Sequence, residues 1–455
     1  MGVGPYVELT FDAQGDVDRA SRDAVGRLDV TDLLVFAHGW NSDRSTATRL
    51  YERFFAPFPR LVGPGVRLGY VGVVWPSMRF SDEPIPDFDP PGLRPGPADG
   101  SPALDSGTRR ALGAFWPGRE AELDRVAQLL SERPESVAAF AEFGALVREL
   151  AGVDEAASWP RSPAGTAAAA TAEAEAGTAV AYAEEGAVDV PAMFTADVLE
   201  VCRVFADALA EAGGTVADGG AAPDGGVREL SPGGGLRRLW NGGKEVLRQA
   251  AYYEMKKRAG VVGERGLGPA LVELSRSRPE LRVHLVGHSF GARVVSFALR
   301  AVPDGWGFVK SLTLLQGAFS HYAFSERLPH DRGRGGALRG VQRRVDGPVV
   351  ACHSDRDTAL KVFYPLASRM AGDSAGFAGF DARWGAIGHD GVQALPGAPR
   401  LTLDAALREG LPGAGCVSVD AASVVRRGGA PSGAHSDICH EELARLVVSA
   451  GRMWR

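Results

Sequence analysis

Val283-His284-Leu285-Val286-Gly287-His288-Ser289-Phe290-Gly291-Ala292-Arg293-Val294-Val295 decides how this chain is read. Its first half, with Leu281 just before it, is rich in strand formers. From Ala292 to Val302 the spacing of Val294, Val295, Phe297, Ala298 and Leu299 is that of a buried helix. Between them stands Gly287-His288-Ser289-Phe290-Gly291. Such a pattern arises by chance in a chain with 59 glycines, so its meaning comes from the strand before it and the helix after it. A turn that tight crowds the backbone two residues before and two after the serine, and Gly287 and Gly291 supply the missing bulk. The reading is a nucleophile elbow, with Ser289 Oγ exposed above a sheet at a helix N-terminus.

Asp32-Leu33-Leu34-Val35-Phe36-Ala37 is a second apolar strand, ending in His38-Gly39-Trp40-Asn41. An acyl-transfer serine needs backbone N–H groups aimed at the oxyanion of its transition state. One would come from Phe290, next after the nucleophile, and the other from Trp40 or Asn41 on this loop. Gly39 lets the backbone approach the substrate, and His38 reads as a hydrogen bonder that braces the loop.

With these segments in place the chain resembles the α/β-hydrolase superfamily, and within it bacterial serine hydrolases with a His-Gly-Trp-Asn loop. Those share a Trp-Pro-Ser strand end, here Val73-Val74-Trp75-Pro76-Ser77, and a Gly-His-Ser-x-Gly-Ala-Arg elbow. The resemblance covers about residues 30–80 and 235–450. It implies an α/β fold with a mostly parallel sheet flanked by helices, and the chain order serine, acid, histidine for a triad.

After Ser289 the next strands read Ser311 to Ala318 and Gly347 to His353, the latter followed by Ser354-Asp355-Arg356-Asp357-Thr358-Ala359-Leu360. An acid at such a strand end orients an imidazole and stabilises its protonated form. Asp355 and Asp357 both qualify; a Ser-x-x-Asp-x-Ala-Leu pattern in the similar hydrolases favours Asp357, leaving Asp355 to cap the following helix. Gly415 to Asp420 reads as the last strand and Glu441 to Met453 as the last helix. His435, in the loop between them, is the first choice for the base, with His440 at the helix start as the alternative. His389 reads as structural, and His321, His330 and His353 have no assigned chemistry. Arg293 is expected to pair with a core carboxylate, and Lys256-Lys257-Arg258 to complement a helix dipole.

At 455 residues the chain exceeds the usual single-domain size, so an insertion is expected. The organisation read is core over 1–80, a mostly helical insertion over 81–235, and core again over 236–455. Ser81 to Asp99 is dense in Pro and Asp and reads as a linker, as does the Gly-rich Gly213 to Gly235. Helical spacing is plain from 119 to 150 and from Ala196 to Ala212, whereas Ala164 to Glu185 is of low complexity. The insertion is positioned to overhang the serine as a cap; a peripheral lobe that binds a partner is the alternative.

Net charge is −6 with charges interspersed, which gives no case for nucleic-acid binding. No uninterrupted apolar run approaches a membrane span and no signal segment precedes the first strand, so a cytoplasmic location is expected. Cys202, Cys352, Cys416 and Cys439 lack ligand spacing, and no metal or cofactor is implied. The expected activity is serine hydrolysis of a carboxylic ester or related acyl bond in a small-molecule substrate, through an acyl-enzyme on Ser289. Acyl transfer on the same triad and a catalytically silent protein-binding scaffold are the alternatives.

Overall fold

The computed structural model describes residues 1–40, 42–78, 80, 102–153, 192–211, 235–363, 385–429 and 432–454. Among these, one sheet is built from β1 (Tyr6–Thr10), β2 (Asp32–Ala37), β3 (Leu68–Val74), β4 (Arg282–His288), β5 (Val309–Leu315), β6 (Pro348–His353), β7 (Arg400–Thr402) and β8 (Gly415–Asp420). The spatial order is β1-β3-β2-β4-β5-β6-β8-β7. The sheet is parallel, as expected, and every pairing among the described strands is parallel. Strands buried on both faces have no polar side to show, and β2 and β3 are buried at every position.

Helix α1 (Arg19–Gly26) follows β1, its start fixed by Asp18, whose carboxylate accepts from the Ser21 amide at 2.8 Å. Period-two alternation divides β2 between two cores. Leu33 and Val35 join one apolar cluster; Leu34 and Phe36 join the other, with Tyr51, Phe54 and Phe55 of α2 (Arg44–Phe55). Phe36 sits 4.6 Å from Phe54, ring centre to ring centre. Truncating such a ring to alanine costs about 3–5 kcal/mol. Cys352 and Cys416 lie in these cores as small buried hydrophobes, their thiols pushed up to about 12 by burial.

The helices α3 (Ser106–Phe115), α4 (Glu120–Glu132), α5 (Val137–Leu150) and α6 (Val198–Glu211) gather on α7 (Gly235–Val261). Phe140 stacks on Trp240 at 4.1 Å, and the Trp240 indole N–H donates to the Pro134 carbonyl at 3.0 Å. Leu112, Leu130, Phe143, Val201 and Phe205 belong to the same continuous apolar cluster as Leu33, Val35 and Leu285 of the sheet. These helices therefore share the sheet's core. The expected linkers at 81–99 and 213–235 and the low-complexity 164–185 fall almost wholly outside the described residues.

From α7 the chain passes through a π-helical turn, Val262–Leu267, into α8 (Gly268–Ser277) and then β4. β2 and β4 are neighbours, yet the chain leaves β2 toward β3 on one side and β4 toward β5 on the other. Connections that diverge in this way open a crevice at the carboxyl ends of the two strands, which is where open parallel sheets bind ligands. Beyond β4 come α9 (Phe290–Ala298), then α10 (Leu403–Glu409) between β7 and β8, and last α11 (Glu441–Gly451).

Candidate active site

The crevice is where the elbow lies. Ser289 joins β4 to α9 with φ 55 and ψ −120, a left-handed conformation that a non-glycine residue holds only when its surroundings enforce it. An added methyl at Gly287 would collide with the Gly291 carbonyl, and one at Gly291 with the Ala37 carbonyl. The strand end of β2 and the first turn of α9 thus pass too close for any side chain. The Ser289 N–H donates to the Leu315 carbonyl at 3.0 Å, and the Ser289 carbonyl accepts from Ala318 at 3.2 Å, which fastens the elbow to β5.

Ser289, His435 and Asp357 meet here. His435 Nδ1 donates to Asp357 Oδ2 at 2.7 Å, and Nε2 faces Ser289 Oγ at 2.9 Å. With Asp357 Oδ2 accepting the Nδ1–H bond, Nε2 keeps its lone pair for the serine hydroxyl. Asp357 is wholly buried, and its other oxygen accepts from the Leu360 amide at 3.0 Å. Asp355 is not brought in: its side chain is exposed and pairs with Arg356. His440 stands at the N-cap of α11 and donates to Asp437 at 2.9 Å.

The loops carrying Asp357 and His435 are tied together by hydrogen bonds to backbone carbonyls. Ala434 donates to the Arg356 carbonyl, Ala359 to the Ser432 carbonyl, and Ser354 Oγ to the Val425 carbonyl. Asp437, two residues beyond His435, accepts from the Arg426 and Arg427 amides, the Arg427 guanidinium and His440. Burial alone raises its pKa, but these bonds outweigh it and hold the carboxyl well below the usual carboxylate range.

On the loop after β2, His38 acts as a brace. Its Nδ1 donates to the Gly39 carbonyl at 2.8 Å, its ring stacks on Trp75 at 5.4 Å, and burial pushes the imidazole down to about 4. The Trp75 indole N–H donates to the His38 carbonyl at 3.0 Å, while the Tyr51 hydroxyl accepts from the His38 amide and donates to the Val73 carbonyl. Gly39 abuts Ser289, since an added methyl would lie 2.7 Å from Ser289 Cβ. Phe290 is the first residue of α9, so its N–H lies ahead of the helical ladder. Trp40 is described and Asn41 is not. Trp40 packs edge-on to Tyr252 of α7 at 5.4 Å, and Tyr252 lies 4.6 Å from Phe290.

One expectation needs correcting. Ser289 is not exposed: it keeps 1 % of its surface, because Gly39 and the flanking turns close on it. Arg293, expected to pair with a core carboxylate, donates from Nε to the Lys256 carbonyl at 3.0 Å, and its guanidinium lies 4.1 Å over Phe297. A helix carbonyl and an aromatic face are thus among its partners.

Sequence reasoning assigned no role to Tyr51, Trp75, Asp437 or His288, whose Nε2 donates to the His435 carbonyl at 2.8 Å. Only the adjacency of His288 to the nucleophile could have drawn attention to it. Also missed was a second serine–histidine–aspartate set. His284 Nε2 faces Asp32 Oδ1 at 2.9 Å and its Nδ1 faces Ser311 Oγ at 3.1 Å, across β2, β4 and β5. All three are 0–2 % exposed, on the sheet away from the crevice and from any elbow. Side-chain spacing alone therefore does not make a site.

Among the described residues no group of three or more His, Cys, Asp or Glu side chains is arranged to hold a metal ion. No described helix is long and apolar enough to cross a membrane. Set against known proteins, the chain matches no family model, no curated protein and no solved structure.

Proposed function

We propose that this protein is a serine hydrolase of the α/β-hydrolase type, cleaving a carboxylic ester or related acyl bond through an acyl-enzyme on Ser289. The observation that carries the reading is the unbroken chain from Ser289 Oγ to His435 to buried Asp357, set in the crevice between β2 and β4. His435 Nε2 takes the hydroxyl proton as Oγ attacks the acyl carbon, and Asp357 stabilises the resulting imidazolium. The carbonyl oxygen becomes an oxyanion held by the Phe290 amide and by Trp40 or Asn41. His435 then returns the proton to the leaving alcohol, and a water repeats the sequence to release the acid. The Trp40 and Tyr252 rings wall the oxyanion side, so an apolar acyl group is the favoured substrate. In this proposal α3 to α6, docked on α7, act as the cap.

A second reading, transfer of the acyl group to an acceptor other than water, draws on the burial of Ser289 and His435, at 1 % and 5 % exposed. An enclosed acyl-enzyme resists stray hydrolysis. Turnover of p-nitrophenyl esters of increasing chain length tests the first reading. Retained turnover of ester with the acid appearing only when an added alcohol or amine is absent separates the two.

A further inference from the structure

We infer that His288 is a positioning residue for the base, tying the nucleophile's own elbow to the loop that carries His435. The inference rests on the proposed role of His435. A carbonyl only accepts, so the 2.8 Å contact between His288 Nε2 and the His435 carbonyl places the proton on Nε2. The two rings lie 5.1 Å apart and tilted by 42°. On its other side the His288 ring meets the oxyanion loop: an added methyl at Gly39 would come 3.0 Å from Nδ1. One buried ring thus spans the loops that carry the oxyanion amides and the base.

The arrangement matters because the elbow and the loop that carries His435 are held in different ways. The elbow is locked between β4 and α9 by close backbone packing, whereas the described residues just before His435, Ser432 to Ala434, belong to no helix or strand. The bond from His288 measures the base's backbone directly against the nucleophile. The ring is also suited to sit beside a group that becomes charged. Burial, with His435 as the next cause, pushes the His288 imidazole down to about 3. It therefore remains a neutral donor while His435 alternates between its two forms, and adds no like charge 5.1 Å from the imidazolium.

The test uses the full chain with His288→Leu, His288→Gln and His288→Asn, assayed by ester turnover. Leucine fills the space without a donor, glutamine can place an N–H near the lost Nε2, and asparagine is too short to reach. His288→Leu is expected to lower kcat by roughly 10- to 100-fold with KM little changed, as a displaced base does. His288→Gln should recover most of that loss. A folded His288→Leu protein with kcat within about twofold of wild type overturns the inference. If the leucine variant does not fold, glutamine and asparagine decide: glutamine active and asparagine impaired supports it, and equal activity overturns it. A Ser289→Ala control separates the failures. Loss of turnover in Ser289→Ala with no effect at His288 removes this inference alone, whereas undiminished turnover in Ser289→Ala removes the catalytic reading and this one together.

Discussion

Ser289 Oγ lies 2.9 Å from His435 Nε2, across 146 residues of chain. Neither residue is placed by its own neighbours alone. The serine is held where β4 turns into α9, and the histidine by a loop tied to the acid turn, to Asp437 and to His288. The contact is thus a property of the sheet's carboxyl edge as a whole.

If that contact is catalytic, its two supporting residues act as a unit with the serine. His435→Ala and Asp357→Asn should each lower kcat by roughly three to four orders of magnitude. Asp355→Asn and His440→Ala should stay within about tenfold of wild type, His440 acting only through Asp437. Steady-state kinetics on the four variants checks this, and an inactive Asp355→Asn beside an active Asp357→Asn would reverse the assignment of the acid.

The second serine–histidine–aspartate set should behave in the opposite way. Ser311→Ala leaves His284 Nδ1 buried without its partner, a loss of about 1–3 kcal/mol. Denaturant unfolding should show that loss while ester turnover per folded molecule is unchanged. A Ser311→Ala protein that is stable but inactive would contradict the division between the two sets.

Gly39→Ala probes the oxyanion side. The methyl would press on Ser289 Cβ and the His288 ring, so the nucleophile and the loop amides must part. A kcat reduced by about 100- to 1,000-fold is expected, the scale of losing one oxyanion donor. Activity near wild type would mean that the loop amides are not used.

Acid should weaken the fold in two stages. His38 and His288 are pushed down to about 4 and 3 by burial, and His284 is lowered for the same first cause. Their unfolded counterparts bind protons near 6.5, so this contribution is complete above about pH 6.5 and is lost as pH falls toward 4. Each tenfold weakening of proton binding on folding corresponds to about 1.4 kcal/mol, so the loss reaches a few kcal/mol. Asp437, and Asp390 between the His321 and His389 rings, are held low by hydrogen-bond partners that outweigh their burial, and they add stability that is present above about pH 4 and lost below it. Denaturation midpoints should be level above pH 6.5 and fall steadily beneath it; a level curve down to pH 5 would contradict the burial of these histidines.

What can be read from residues alone follows from where the physics is local. β2 and β4 announce themselves because strands buried on both faces are mostly apolar, and the Gly-x-Ser-x-Gly turn has a steric need for glycine at fixed spacing. Asp357 and His435 emerge from asking which acids and histidines follow late strands. β1 and β7 escape such a reading, since an edge strand such as Arg400–Thr402 carries no apolar run. Tyr51, Trp75, Asp437 and His288 act through bonds to backbone or side chains that come together only in the fold, so their roles cannot be read from their own neighbours. The same holds for the burial of Ser289, which depends on Gly39 folding over it.

The most direct measurement is the site of covalent capture by a fluorophosphonate. The account predicts one phosphonyl adduct per chain, located by peptide mass spectrometry on Ser289, absent in Ser289→Ala and formed far more slowly in His435→Ala. An adduct on another residue, or undiminished labelling of Ser289→Ala, would contradict it.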